Sequence, residues 1–313
     1  MLGISTCWWH DKSLRGDKIV SEALELGFQG VELEYRLSNS TYQEMKPKLN
    51  SELAVLSIHN FFPRPDHIHI KNGSGDLFLL SSDDMDERSL AVNYSIKSIE
   101  HAHDMECNTV ILHLGRVDMP SPAEFFKELF NRGKTQDTEG LAFLEEQKDI
   151  RQIKHPKYID AVLFSLEKLN KTAERLGVFL GIENRYYFQE IPNFEEIGII
   201  LKEFKGGSLR YWHDTGHARA QENLGICRQN DLLEAYSDNM LGIHLHDIKG
   251  LDDHIAPGQG EINFEDVRPF MKNDTVKIME IHPKVEKKAL IKGRNVIVHA
   301  LKGLDNRRLA QPR

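Results

Sequence analysis

Val178–Glu183 (VFLGIE), Leu209–His217 (LRYWHDTGH), Leu241–Asp247 (LGIHLHD) and Val276–Glu280 (VKIME) are four apolar runs that each reach a metal-ligating residue type. A run of about four to six apolar or β-branched residues has the length of a buried strand. An ionisable group there is costly unless something neutralises it. The runs recur about every 30–40 residues, the repeat expected of strand–helix units whose strand ends converge on one point. They predict a barrel with metal held at its C-terminal mouth.

The same alternation extends upstream. Leu2–Thr6 reads as a first strand, followed by an amphipathic helix over 17–26 (DKIVSEALEL) closed by Gly27. Gly30–Leu33 (GVEL) and Leu53–His59 (LAVLSIH) read as the second and third strands, with helices expected over 41–52 and 86–105. Thr109–Leu114 (TVILHL) is the fourth strand. Its helix is expected only over 158–176, so the charged stretch 115–157 reads as an insertion over the mouth. Further helices are expected over 192–204, 226–238, 264–271 and 284–301. Eight units without a Pro/Gly-rich break predict one α/β domain over 1–302, a (β/α)8 TIM barrel, with a frayed polar tail over 303–313. The alternative, a doubly wound open sheet, usually carries a Gly-rich turn after its first strand, where this chain reads CWWHDK. The 313 residues suffice for a barrel, which takes about 250 plus insertions.

A net charge of −8 gives no support to a nucleic-acid-binding surface, although bound metal would add positive charge that this count omits. A hydrophobic content of 40% is enough for a sizeable core, and no apolar stretch approaches the ~20 residues of a membrane span. No secretory signal is visible at the start. Cys7, Cys107 and Cys227 are far apart and form no CxxC, which suits buried thiols in a reducing cytoplasm.

The strand ends collect the chemistry. His59 ends the third strand, His113 lies near the end of the fourth, and Glu183 ends the fifth. Asp214 ends the sixth, with His217 within reach if the chain turns helically there. His244 and His246 share a face of the seventh, Glu280 ends the eighth, and the intervening loop 251–260 (LDDHIAPGQG) offers Asp252, Asp253 and His254. Imidazole and carboxylate suit zinc, manganese and iron, and carboxylates crowded in one mouth repel unless cations bridge them. Blander readings compete at several positions. His59 and His113 could be satisfied core histidines or substrate hydrogen-bond partners, and Asp214 a helix N-cap. Asp252 and His254 could form a polar turn beside Pro257 and Gly258. His246 could support a ligand from behind, and Asp247 could orient backbone. Glu183 and Glu280 are the hardest to explain structurally.

GIEN (181–184), DTGHA (214–218), GIHLHD (242–247), the DDH–PGQG turn and MEIHP (279–283) resemble the xylose-isomerase-like TIM-barrel superfamily. That superfamily includes sugar and sugar-phosphate isomerases and epimerases and endonuclease IV, of AP endonuclease family 2. The resemblance implies a metal quartet of Glu183, Asp214, His244 and Glu280. Its endonuclease IV branch adds His59 (SIHNFF), His113 (LHLG), His217, Asp252 and His254, for one to three ions in all. Two activities follow. In the first, a divalent metal (Zn, Mn, Mg or Co) serves an isomerase or epimerase acting on a small-molecule sugar or sugar phosphate through an enediolate. Glu183 and Glu280 are its acid and base, His217 and Lys249 contact hydroxyls or phosphate, and the insertion excludes water. The second is a multinuclear zinc phosphoesterase acting on DNA or a smaller phosphate ester. Arg36, Phe61 and Phe62 stand roughly where endonuclease IV reads DNA, but without a basic cluster, so the first activity is favoured. Phe125, Phe126, Leu129 and Phe130 of the insertion are expected to form the underside of a lid or a homo-oligomer contact.

Overall fold

The computed structural model describes residues 1–10, 12 and 14–302. The tail expected to fray lies outside them. In chain order the strands are β1 (Gly3–Ser5), β2 (Gly30–Leu33), β3 (Ala54–His59), β4 (Thr109–Leu112), β5 (Phe179–Glu183), β6 (Leu209–Asp214), β7 (Met240–His244), β8 (Asp247–Lys249), β9 (Asp252–Ile255) and β10 (Val276–Met279). β1–β7 and β10 close a parallel barrel, β1 pairing with both β2 and β10. β8 and β9 form a separate antiparallel hairpin above the mouth-side end of β7. The single (β/α)8 barrel expected from the repeat is therefore the fold. Among the described residues no helix is long and apolar enough to cross a membrane.

The outer layer comprises α1 (Gly16–Glu25), α2 (Asn39–Met45), α3 (Met85–Asp104), α4 (Ala123–Asn131), α5 (Thr138–Leu176), α6 (Phe194–Glu203), α7 (Thr215–Asn223), α8 (Gln229–Tyr236), α9 (Phe264–Val267) and α10 (Lys287–Ala300). Local chemistry sets their ends. Asn193 and Glu196 form a reciprocal capping box on α6, and Asp84 accepts from the Asp86 and Glu87 N–H groups to start α3. Gly177 takes φ +69° to close α5, a left-handed turn that costs glycine little.

Several expected boundaries move for identifiable reasons. The helix expected over 41–52 stops at Met45: Lys46 keeps helical dihedrals, but Pro47 has no N–H to continue the ladder. The one expected over 158–176 starts twenty residues earlier, at Thr138, capped by the Asp137 side chain at Gly140 N. Pro156 removes one N–H from this 39-residue ladder without ending it. The insertion 115–157 is thus largely helical, consisting of α4 and the first half of α5. Its residues Phe126 and Leu144 pack with Leu224 in a small apolar cluster of their own. The turn of chain expected to bring His217 back is a full helix, α7, and the loop 251–260 contains a strand.

Inside the barrel, Ile111, Trp212 and Ile278 form the plug beneath the mouth. A Cβ at Gly242 would collide with the Trp212 ring, so glycine makes room for that plug. The Trp212 ring lies edge-on to His244 at 5.0 Å between centroids and forms the floor of the site.

Candidate metal centre

Glu183, the last residue of β5 and 1% exposed, sits at the middle of the mouth. Its Oε2 lies 2.9 Å from His113 Nε2 and 3.5 Å from His59 Nε2, while Oε1 lies 2.8 Å from His244 Nδ1. His244 Nδ1 is also 3.1 Å from Glu280 Oε2 and 3.6 Å from Asp214 Oδ2. The donor atoms fall into three groups, each within 4.8 Å internally: His59, His113 and Glu183; Glu183, Asp214, His244 and Glu280; and Asp214, His217, His246 and His254. Glu183 joins the first two groups and Asp214 the last two. Carboxylate with imidazole fits borderline divalent cations such as zinc, manganese or cobalt.

The histidines are held as ligands need to be held. His59 Nδ1 faces the Asn60 carbonyl at 3.1 Å, His113 Nδ1 faces Asp76 Oδ2 at 3.0 Å, and His244 Nε2 faces Glu32 Oε2 at 3.1 Å. In each ring the other nitrogen turns towards Glu183. One nitrogen tied to an outer acceptor fixes the tautomer and orients its partner towards a cation. His246 differs. The His254 backbone N–H donates to its Nδ1 at 2.9 Å, so Nε2 carries the proton and donates to Asp214 at 2.9 Å. His246 therefore steadies Asp214 from behind. A Cβ at Gly216 of the DTGHA motif would collide with this ring.

Asp214 combines two of the sequence readings. Its Oδ1 caps α7 by accepting from the His217 N–H at 2.7 Å, and its carboxylate also belongs to the donor cluster. Asp247 orients backbone: it accepts from Gly258, Gly260 and Ile262 N–H at 2.9, 2.9 and 3.0 Å, folding the PGQG turn behind the hairpin.

Eight of the nine metal candidates join these groups, and Asp252 does not. It is exposed, and Asp253 instead faces His217 Nε2 at 3.8 Å and His254 Nδ1 at 3.1 Å. Two residues apart in a regular strand, Asp252 and His254 would share a face. His254 takes φ +54°, which breaks the alternation. Lys249 is likewise exposed and lines a neighbouring cleft rather than the pocket over the cluster. Among the groups the sequence reading passed over is Glu32, fully buried in β2 and bonded to His244 and to Ser57 Oγ at 2.8 Å. An acid inside the four-residue strand GVEL was a readable signal. Asp76 and Arg185, which brace His113, sit in loops and offered none.

The electrostatics follow from burial against close partners. Burial disfavours the Glu183 carboxylate, yet His244, His113 and His59 hold its pKa well below the usual range. Burial and Arg185 oppose a charge on His113, but Asp76 and Glu183 push it up to about 9. Burial raises the Glu34 carboxyl to about 7 against the pull of Arg36. Above the cluster lies a cavity of about 240 Å³, walled by Tyr35, Tyr186, Tyr187 and Glu190.

Fold and cluster together define a (β/α)8 barrel with a histidine–carboxylate centre at its C-terminal mouth. The chain belongs to the xylose isomerase-like TIM barrel family, whose profile matches residues 20–298. Solved structures of the same fold include a D-tagatose 3-epimerase-like protein, 18% identical over 98% of this chain and 99% of that one, with a TM-score of 0.63. An L-ribulose 3-epimerase is 14% identical over 100% of this chain and 98% of that one, at 0.67. The D-psicose 3-epimerase of Clostridium cellulolyticum H10, solved with D-tagatose, is 14% identical over 96% and 99%, at 0.64. No curated protein matches the chain in sequence.

Proposed function

We propose that the chain is a divalent-metal-dependent isomerase or epimerase acting on a sugar or sugar phosphate through an enediolate. One observation carries the reading: Glu183 and Glu280 offer donor atoms within 4.8 Å of each other and of Asp214 and His244, beneath a cavity of about 240 Å³. A divalent ion bound by this quartet would supply positive charge to a carbonyl and its neighbouring hydroxyl. Glu183 and Glu280 would take a proton from one carbon and return it to the next. His217 would hydrogen-bond a hydroxyl, and Tyr35 and Tyr186 would keep water from the reacting carbons. The 3-epimerases of the same fold support this choice of chemistry.

The pocket's surroundings favour a small molecule over DNA. Phe61 and Phe62 are each 1% exposed and have no face on which a base could stack. Arg36 donates to Tyr35 Oη at 2.7 Å and is committed within the protein.

The second reading, a multinuclear zinc phosphoesterase, is favoured by the two further donor groups that share Glu183 and Asp214. It would occupy both Glu183 oxygens, leaving neither to move a proton. Metal content separates the two readings. About one manganese, cobalt or magnesium per chain, with solvent deuterium entering a ketose or aldose, would support the isomerase. About three zinc ions per chain, with phosphate-ester hydrolysis and no exchange, would overturn it in favour of the second reading.

A further inference from the structure

The pocket over the cluster adjoins a second cavity, of about 520 Å³, between α4 and the β8–β9 turn. Tyr186, Tyr187 and Leu251 line both, and Tyr186 Oη donates to the Leu251 carbonyl at 2.8 Å where they meet. The inner cavity alone falls short of the roughly 300–1,000 Å³ of a small-molecule site, whereas the two together fall within it.

The outer cleft is built rather than incidental. Phe126 and Phe130 come from α4 and Phe188 from the chain after β5, so the insertion supplies much of its aromatic wall. The opposite wall is the hairpin turn, where Gly250 at φ +63° packs so closely that a Cβ would stand 3.2 Å from Phe130. That turn is pinned from behind. Asn223 Nδ2 donates to the Gly250 carbonyl and the Gly250 N–H donates to Glu261 Oε1, each at 2.7 Å. A cleft fixed in this way loses little entropy when it is filled.

Its charge is even. Lys127 and Lys249 line it without ion-pair partners among the described residues, and Glu124 and Asp252 line it as well. Balanced charge and phenyl rings suit a flat, neutral, apolar group better than a phosphate.

We infer that this cleft is a second subsite for the same substrate, which is a sugar carrying a flat apolar substituent. The sugar sits at the metal cluster and the substituent lies against Phe130 and Phe188. The sugar half of this assignment rests on the proposed function; the outer subsite does not.

Calorimetric binding of paired methyl and 2-naphthyl ethers of glucose, galactose and fructose, joined at the hydroxyl farthest from the carbonyl so that the carbonyl stays free, to the metal-loaded full chain tests it, with cellobiose as the two-sugar control. For at least one sugar the naphthyl form should bind on the order of ten-fold tighter than the methyl form. Phe130→Ala should bring that ratio close to one. Phe130→Leu, which keeps an apolar contact with Gly250, should retain part of it, so that loss of fold is not mistaken for loss of the subsite. Equal affinities for every pair, cellobiose binding tighter than any naphthyl ether, or an unchanged ratio in Phe130→Ala would each overturn the inference. Free 2-naphthol separates it from the catalytic reading. Its binding to wild type and loss in Phe130→Ala would uphold the outer subsite even if no sugar exchanged a proton, and no binding would count against the subsite whatever the activity.

Discussion

Two buried charged networks in this chain differ in balance. Arg151 on α5 donates to Glu196 on α6 through Nη1 at 2.7 Å and Nη2 at 3.0 Å, and Nη2 also donates to the Glu190 carbonyl at 3.0 Å. The second Glu196 oxygen accepts from Asn193 N at 2.7 Å and His155 Nε2 stands 2.8 Å from the first, so one permanent cation meets one anion and the carboxylate is satisfied. The mouth buries Glu32, Glu183, Asp214 and Glu280, and Arg185, its nearest permanent cation, is shared by Asp76 and Glu190 at 2.7 Å each. Arg185 Nη1 also stands 4.0 Å from Glu183 Oε2; the other ion-pair partners of these four carboxylates are imidazoles. Burial of charge is common to both networks, so it does not mark function; the unbalanced anionic excess at the mouth does.

The sharpest way to break this contrast is to remove one charged side chain from each network. Glu183→Gln should lower turnover by about 10²–10⁴-fold and reduce metal content, because the proposed function makes Glu183 both a ligand and a proton carrier. Arg151→Met should leave metal stoichiometry at the wild-type value while costing about 3–5 kcal/mol of stability, the usual result of stranding one partner of a buried pair. Metal analysis and denaturant unfolding of both variants decide the matter. Metal loss in Arg151→Met would dissolve the distinction. Under the isomerase reading His59→Ala should reduce turnover less than Glu183→Gln; equal and complete losses at His59, His113 and His254 would point to the multinuclear site.

A smaller effect is expected one bond further out. Glu32 touches no substrate and acts through His244, so Glu32→Gln should weaken metal binding by about 10–100-fold with the fold intact. Excess metal should restore activity in this variant, as it should not in Glu183→Gln. If titration shows wild-type affinity, Glu32 is merely a partner of Ser57.

The contrast also explains what the sequence could reveal. Strand ends repeat in sequence and converge in space, so Glu183, Asp214, His244 and Glu280 could be read off four apolar runs. Glu32 stands one residue before the end of the short strand GVEL, a weaker signal than a ligand type closing a longer apolar run. Asp76 reaches His113, and Arg185 reaches Asp76, from loops whose path no periodicity records. Asp252 enters the ligand set through the family resemblance, whereas the backbone turns to φ +54° at His254 and it is Asp253 that faces His217 and His254. The insertion reads in sequence only as a charged stretch over the mouth, because its pattern shows too little apolar periodicity to mark where α4 and α5 begin. Its anchor, the Arg151–Glu196 pair, joins residues 45 apart and becomes visible only in three dimensions.

The mildest test uses pH and asks whether the Arg151–Glu196 network is self-contained. Burial raises the Glu196 pKa, but hydrogen bonds from His155 and Arg151 outweigh it and hold the folded value below the ordinary 4.5. A carboxylate depressed in this way stabilises the fold fully above its unfolded pKa. That contribution is lost as pH falls through the ordinary carboxylate range and on through the folded pKa, because the unfolded chain binds the proton first. Unfolding free energy measured between about pH 6 and 3 should therefore fall less steeply in Glu196→Gln than in wild type, by at most about 1.4 kcal/mol per pH unit for one proton. The slope is the readout, because the variant is also offset at every pH by the stranded Arg151. The carboxylates of the mouth titrate in both proteins, so their contribution cancels in the difference. Parallel curves would mean that Glu196 holds no more tightly to its charge than an exposed glutamate, and the balanced network would lose its standing as the structural counterpart of the mouth.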